Sequence, residues 1–476
     1  MCSQLDCICW RAQDDAADAS LPPLWFHLIL SSVLPGFGHY YQDERRTIEW
    51  VGIGEKHESL VNQQLYFMSQ LTCRFCATPL HYSLVDLGMS PLSNSYVPVA
   101  ELDLMEAFYP LHVRVCDKCF LVQLPELQTP EHIFRDYAYF SSYSSSWLEH
   151  SRLYAEKVTA RFGLDKSSQI IEVASNDGYL LRFFQQKGLP VLGVEPAANV
   201  AEVAQGVGIP TIVKFFGVET ANELVESGYR ADLLVANNVM GHVPDLNDFI
   251  GGLQLLLSPT GVLTVEFQHV LRLMENSQFD TIYHEHFSYL SLLTIEKMFE
   301  HHGLRVFDVD ELTTHGGSLR VYACRAENTE LSVGPNVDIV REAEADLKYM
   351  ETYAAFSERA HQVRYGLLEF LINARREGKV VVGYGAPAKG NTLLNSCGVR
   401  GDLLPYTVDL SPHKQGLFLP GTHIPIFAPE HIEKTKPDYV LLLAWNLKDE
   451  IIAQMSGIRA WGGKFVVPIP RLEVIE

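Results

Sequence analysis

The chain has 476 residues, with 37 Lys and Arg against 58 Asp and Glu, giving a formal net charge of −21. At 47% hydrophobic and 20% charged residues it has a globular composition, which excludes a disordered or collagen-like chain, and its length suits about three domains. The acidic balance argues against nucleic acid as the main partner, because neutralising phosphates needs a basic face; one small basic pocket for a phosphorylated ligand stays compatible.

Residues 1–67 show no clear periodicity and no motif. They are expected to be an extension of unknown role, a mis-called start ahead of Met68. The apolar run at 24–34 stops at Pro35-Gly36, short of the roughly 20 residues that span a bilayer. Asp14, Asp15 and Asp18 ahead of it have the wrong sign for a signal peptide. A cytoplasmic protein without a membrane partner is expected. The nine cysteines are an odd count with two C-x-x-C pairs, which fits metal binding in a reducing compartment better than a disulfide framework.

Residues 68–130 carry those pairs. Cys73-Arg-Phe-Cys76 and Cys116-Asp-Lys-Cys119 are separated by 39 residues. Each C-x-x-C turn aims two sulfurs at one point, so four thiolates can close a tetrahedral shell around Zn²⁺ with no position left for water. The expected role is structural. The bland alternative is two unrelated pairs of buried cysteines.

From 131 to 330 strand-like and helix-like segments alternate, predicting a doubly wound parallel sheet. Short apolar runs at 191–194, 233–236 and 262–265 read as buried strands, and 199–205 and 247–257 as helices. The run Ile170 to Tyr179 ends a strand and opens a helix, a turn that offers backbone N–H groups and a helix N-terminus to a ligand. It is not G-x-G-x-x-G: Ser175 and Asn176 stand where glycines are usual. Glu195 closes the next strand, about 20 positions on, where a carboxylate accepts from ribose hydroxyls. The third strand ends in Asn237-Asn238 and continues to His242. These ends make a crevice for a nucleotide cofactor, a dinucleotide among the options. Downstream, Asp280 to Tyr289 packs six titratable groups into ten positions. His315-Gly-Gly-Ser-Leu-Arg320 adds a polar loop, with Arg320 either a phosphate contact or half of a structural ion pair.

A charged stretch at 337–378 has apolar residues at helical spacing and connects two domains. A second α/β unit follows, with strands at 379–383, 404–408 and 439–443. In Val380 to Thr392, Gly383 and Gly385 allow close approach of a ligand, and Lys389 adds positive charge near a helix start. A diphosphate is a sensible guest.

Five ordered segments together resemble the sugar C-methyltransferase family, which acts on nucleotide-activated keto sugars. They are the paired cysteine knuckles, Glu172-Val-Ala-Ser-Asn-Asp-Gly-Tyr-Leu-Leu181, Asn237-Asn-Val-Met-Gly-His-Val-Pro-Asp245, Phe279-Asp-Thr-Ile-Tyr-His-Glu-His-Phe-Ser-Tyr289 and Gly383-Tyr-Gly-Ala-Pro-Ala-Lys-Gly-Asn-Thr-Leu-Leu-Asn395. The resemblance covers roughly 73–470. It implies a class I methyltransferase Rossmann-like domain (131–330), flanked by a small zinc-binding domain (68–130) and a second, C-terminal Rossmann-like α/β domain (331–476) that binds substrate. It implies S-adenosylmethionine as cofactor, with Glu172, Ala174, Asn176, Gly178 and Tyr179 in its loop. Glu195, Asn237 and Asn238 come from the following strands. The acidic side chain that many methyltransferases place near the adenine is not found; Lys214 precedes Phe215-Phe216 there.

Methyl transfer to carbon needs a carbanion, which a carbon beside a ketone supplies as an enolate once a base removes its proton. The resemblance implies that His286 is the base, with Glu285 close by and Tyr283 and His242 lining the sugar. Tyr137 would donate to the enolate oxygen. Tyr139, Ser144, Gly385, Lys389, Asn391 and Arg320 are the expected substrate contacts. The competing readings are an O- or N-methyltransferase on another small molecule, a two-Rossmann nucleotide-sugar oxidoreductase, and a zinc-stabilised binding module.

Overall fold

A computed structural model describes residues 39–40, 50–51, 71–129 and 140–476. The chain divides into two units, Met1–Leu71 and Thr72–Glu476. In the first, β1 (His39–Tyr40) pairs antiparallel with β2 (Trp50–Val51). The rest of the expected extension lies outside the described residues, as do Tyr137 and Tyr139.

In the second unit, β3 (Tyr82–Ser90), β4 (Tyr109–Val115) and β5 (Val122–Gln123) form an antiparallel sheet around the cysteine knuckles. Helix α1 (Ser145–Phe162) then buries Ser151, Tyr154, Ala155 and Val158, one stripe at helical spacing. The largest sheet takes β6 (Ile170–Val173), β7 (Val191–Val194), β8 (Thr211–Ile212), β9 (Ala231–Asn237) and β10 (Leu257–Gln268) as parallel strands. Strands β6 and β7 are buried at every position, as a parallel sheet covered on both faces requires. Helices α2 (Leu181–Gln186), α3 (Ala198–Gly206), α4 (Val218–Glu226) and α5 (Leu246–Leu256) are the crossovers.

After α6 (Val270–Glu275) the chain makes β11 (Ser288–Tyr289), which does not join the large sheet. It pairs antiparallel with β5, so the residues just past His286 complete the cysteine-bearing sheet, in the order β11-β5-β4-β3. Helix α7 (Leu292–His301) leads to β12 (Leu304–Leu312) and β13 (Ser318–Arg325). The large sheet then reads β12-β13-β10-β9-β6-β7-β8, with β13 antiparallel to both neighbours. Strand order reverses between β6 and β9, and a ligand crevice opens at such a switch point, outside the carboxyl ends of the strands.

The helical stretch expected at 337–378 divides into α8 (Pro335–Ala343) and α9 (Met350–Arg376), with a 3₁₀ turn between them. At that junction the buried Glu344 carboxylate accepts from the amides of Leu292 and Leu293 at the start of α7, both at 2.7 Å, and lies 2.7 Å from His269 Nε2. Strands β14 (Val381–Tyr384), β15 (Thr407–Val408), β16 (Ile426–Phe427), β17 (Tyr439–Leu442) and β18 (Lys464–Val467) are parallel, and β19 (Glu473–Ile475) is antiparallel at one edge. Helix α10 (Ala388–Cys397) follows β14. One hydrophobic core runs from β3 and β4 through the buried face of α9 (Tyr353, Phe356, Ala360, Val363, Leu367) into the β14–β18 sheet. The cysteine-bearing sheet is therefore part of the main core.

Candidate active site

A cavity of about 800 Å³ opens at the carboxyl edge of the large sheet, within the size range of small-molecule sites. Its walls include the loop at 92–96 after β3, the ends of β6, β7, β9 and β10, the segments 214–216 and 281–290, and the start of α10 with Lys414.

At the sheet edge the backbone takes unusual conformations. Ala174, Asn176 and Asn238 all have positive φ, at 56°, 50° and 53°. Such conformations cost roughly 1–3 kcal/mol each away from glycine and concentrate where a ligand is gripped. Glu195 holds this turn: its Oε2 accepts from the Asn176 amide and its Oε1 from the Ala197 amide, both at 2.9 Å. Burial raises its pKa above the ordinary carboxylate value, and those two backbone bonds offset this only in part. Asn176 Oδ1 accepts from the Ser141 amide at 2.9 Å. Asn237 and Asn238 line the cavity, and Asn237 Oδ1 and Asn238 Nδ2 are buried with no partner among the described residues.

Six of the eight expected cofactor contacts line the cavity: Ala174, Asn176, Tyr179, Glu195, Asn237 and Asn238. Glu172 and Gly178 do not. Glu172 is buried beneath the turn, where burial drives its carboxyl well above the usual carboxylate range. Gly178 answers a packing need: its φ is +75°, and a Cβ there would lie 2.9 Å from Ile209 Cγ1. Lys214 is paired with Glu223, and Asp245, the N-cap of α5, and Asp248, in its first turn, are acidic side chains lining this end of the cavity.

Four expected catalytic side chains meet in the cavity: His286, Glu285, Tyr283 and His242. The His286 ring lies 3.9 Å from the Tyr283 ring and 4.7 Å from that of His242, centroid to centroid. His286 Nδ1 is 2.8 Å from the Thr281 carbonyl oxygen, which only accepts. Nδ1 therefore carries the proton, and Nε2 is left with a lone pair. Loss of water, then the neighbouring His242, hold the imidazole well below its ordinary pKa, so it is neutral at neutral pH with the Nε2 lone pair unprotonated. Burial likewise lowers His242 to about 4. Burial pushes Glu285 up to about 7, and its Oε1 accepts from Asn94 Nδ2 at 2.7 Å. Asp280 and His284 of the same run point elsewhere. Asp280 accepts from the Trp445 indole at 2.6 Å, and His284 Nε2 lies 3.3 Å from the Pro110 carbonyl.

Of the expected substrate contacts, Lys389 lines the cavity. Its Nζ donates to Asn446 Oδ1 at 3.0 Å and sits 5.1 Å from the Trp445 ring centroid. The other four described ones do not line it. Ser144 is the N-cap of α1, accepting from the Trp147 amide, a role of about 1 kcal/mol in helix stability. Asn391 is buried and donates to the Ser93 carbonyl at 2.6 Å. Gly385 has φ +90°, and a Cβ there would lie 3.3 Å from Ala444 Cβ and 3.4 Å from Pro387 Cδ. Arg320 sits directly across the β10–β13 ladder from Glu266 and forms a buried ion pair with it. Burial pushes Glu266 up, but Arg320 and His150 outweigh this and hold it at about 2. Such a guanidinium is committed to its own carboxylate.

Sequence reasoning missed Asn94 and Tyr96, and it placed Lys414 only in a segment, 409–416, that the family resemblance marks as functional, without a role of its own. Lys414 Nζ donates to the Ala386 carbonyl at 2.9 Å, and Asp409 accepts from the Ala386 amide at 2.7 Å, so the turn into α10 is pinned from both sides. Lys389 and Lys414 thus line the α10 side of the cavity in a chain of net charge −21.

The sulfurs of Cys73, Cys76, Cys116 and Cys119 lie within 4.8 Å of one another, with 3.5 Å between Cys73 and Cys119 and between Cys76 and Cys116. Bonds of about 2.3 Å to a tetrahedral zinc put sulfurs about 3.8 Å apart, so the four fit that ion with small adjustment.

Three family models match in chain order: a zinc binding domain at 73–134, a methyltransferase domain at 147–309 and a C-methyltransferase C-terminal domain at 313–470. The C-methyltransferase NovU of Streptomyces niveus is 37% identical over 406 residues, 85% of this chain and 96% of NovU. The chain belongs to this C-methyltransferase family. A ubiquinone biosynthesis O-methyltransferase of Azorhizobium caulinodans is 29% identical over 101 residues, 21% of this chain and 40% of that protein. Among solved structures, an S-adenosylmethionine-dependent methyltransferase from Clostridium acetobutylicum is 12% identical, with a TM-score of 0.31, covering 37% of this chain and 92% of its own. Magnesium protoporphyrin IX methyltransferase from Synechocystis is 15% identical, with a TM-score of 0.30, covering 41% and 88%.

Membership in the C-methyltransferase family agrees with the class I arrangement of the large sheet and removes the oxidoreductase reading. The chain is an S-adenosylmethionine-dependent C-methyltransferase with a zinc-binding domain. The orphaned amides of Asn237 and Asn238 and the strained turn at 174–176 are suited to hold the cofactor. No helix among the described residues is long and apolar enough to cross a membrane.

Proposed function

We propose that this C-methyltransferase acts on a nucleotide-linked keto-deoxysugar, with His286 as the base that removes the proton α to the ketone. The observation that supports this most is the His286 ring itself. The Thr281 carbonyl fixes its tautomer, and Nε2 is the acceptor in a cavity shared by the sheet edge and the α10 turn. The proton passes to Nε2, and the C–H electron pair moves toward the ketone oxygen as the enolate forms. The cofactor, when bound, supplies an electrophilic methyl group for the enolate carbon. Tyr283 and His242 flank the ring and restrict where the sugar carbon can sit, which is how positioning lowers a barrier. Tyr137 remains the proposed donor to the enolate oxygen.

The diphosphate is assigned to Lys389, Lys414 and the N-terminus of α10, where charge and backbone N–H groups favour an anion. Losing a hydrogen bond to a charged group costs about 1.5–3 kcal/mol. Lys389→Met is therefore expected to raise KM for the nucleotide sugar about 10- to 100-fold with little change in kcat, measured by steady-state kinetics. An unchanged KM would move the diphosphate elsewhere.

A domain division at 68–130, 131–330 and 331–476, residues 1–67 as an extension, a cytoplasmic location and no nucleic-acid partner belong to the same reading. The substrate is tested with a panel of nucleotide-linked sugars, with and without a keto group, and a labelled methyl donor, product being read by mass. Label should enter keto-deoxysugar nucleotides and stay in the product through hydrolysis conditions that cleave methyl ethers. Label in a hydrolysable position, or only in free acids or amines, would refute the sugar assignment.

A further inference from the structure

Arg74 stands between two of the zinc ligands, Cys73 and Cys76, yet its side chain leaves the knuckle. Nη1 donates to the Pro244 carbonyl at 2.7 Å, two residues past His242. Nη2 donates to the Leu124 carbonyl. The guanidinium carbon lies 5.4 Å from the ring centroid of Phe287, the neighbour of His286. Leu124 in turn donates its amide to the Phe287 carbonyl at 2.9 Å.

The same residue is rooted in the knuckle. Its amide donates to Gln123 Oε1 at 2.9 Å, and Gln123 Nε2 donates to Cys73 Sγ at 3.2 Å. Gln123 is itself paired with Ser288 in the β5–β11 ladder. One guanidinium therefore touches the segment that follows His242 and the segment that carries His286. Its hydrogen bonds go to carbonyl oxygens, while Glu126, Cys73 and Asp245 offset part of the burial cost of the cation by charge alone. The planar fork spans two carbonyls; the point charge of a lysine does not.

We propose that Arg74 is a positioning residue that ties the zinc knuckle to both histidine segments, so that metal loading sets the placement of His242 and His286. This rests on the reading above that those histidines flank the reacting carbon. Misplacing reacting groups by about 1 Å can cost about 10²-fold.

The test uses the full-length holoenzyme with Arg74→Ala and Arg74→Lys, reading zinc content, steady-state kinetics and amide hydrogen exchange. In both variants zinc should stay at the wild-type ratio. kcat should fall about 10- to 100-fold, with KM for both substrates little changed. Exchange should rise at 240–245 and 284–290 and not in the cofactor turn at 174–180. Arg74→Lys should recover only part of the rate. If Arg74→Ala does not fold, Arg74→Lys decides alone. Unchanged exchange at the two segments, exchange rising throughout the chain, or raised exchange with full kcat would each overturn the proposal. The exchange result does not depend on the base assignment; full turnover in His286→Ala would sink that assignment while leaving the structural link measurable.

Discussion

His286→Ala is expected to lower kcat by about 10²-fold or more, the scale for losing a general base, without weakening cofactor binding. The cofactor turn is held by Glu195 and by the ends of β6, β7 and β9, and His286 contributes no hydrogen bond to it. Substitution should thus separate chemistry from binding, with kcat reduced and the cofactor Kd from calorimetry preserved. The acid limb of the wild-type rate should also lie below pH 6.5. Burial lowers the imidazole's pKa, so the ring stays neutral, and basic, until the pH falls through that depressed value. A second inflection near pH 7 belongs to Glu285, whose buried carboxyl ionises at about 7, and it should vanish in Glu285→Gln. A limb above pH 7 that survives both substitutions would assign the rate-controlling ionisation to another group.

Removing zinc, by chelation or by Cys119→Ser, is expected to abolish turnover and lower Tm together. A structural zinc contributes folding free energy directly, about 10–16 kcal/mol in isolated finger peptides. Here the loss spreads further than a small peripheral domain would allow. Cys73, Cys116 and Cys119 pack in the same core as one face of the large sheet, and β5 pairs with β11 two residues beyond His286. Metal analysis, calorimetry and turnover on one set of preparations would check this. Zinc-free protein with wild-type turnover would show that the cysteine-bearing sheet does not support the histidine loop.

The parts of the fold that depend on local pattern were readable from residues alone. The predicted strand at 191–194 coincides with β7, and the runs at 233–236 and 262–265 fall inside β9 and β10, because buried parallel strands are continuous apolar runs. The run at 404–408 reads as a strand, but only Thr407–Val408 pairs; Pro405 has no N–H to give to a ladder. What depends on chain crossing was hidden. Asn94 reaches Glu285 from 191 positions away, in a loop with no periodic signal. Arg320 has the same sequence appearance whether it meets a phosphate or Glu266. Only the antiparallel register of β10 and β13 decides that it meets Glu266. The His-Glu-His run also shows how spacing misleads in a turn. His286 and Glu285 face the cavity, while His284, two positions before His286, turns to Pro110 and the edge of Tyr109.

The most direct test of the account is deuterium uptake from heavy water into the keto sugar, with S-adenosylhomocysteine in place of the methyl donor. Wild-type enzyme should wash deuterium into the carbon that is otherwise methylated, and His286→Ala should not. Uptake at full rate in His286→Ala would show that another group takes the proton and would contradict the role given to His286.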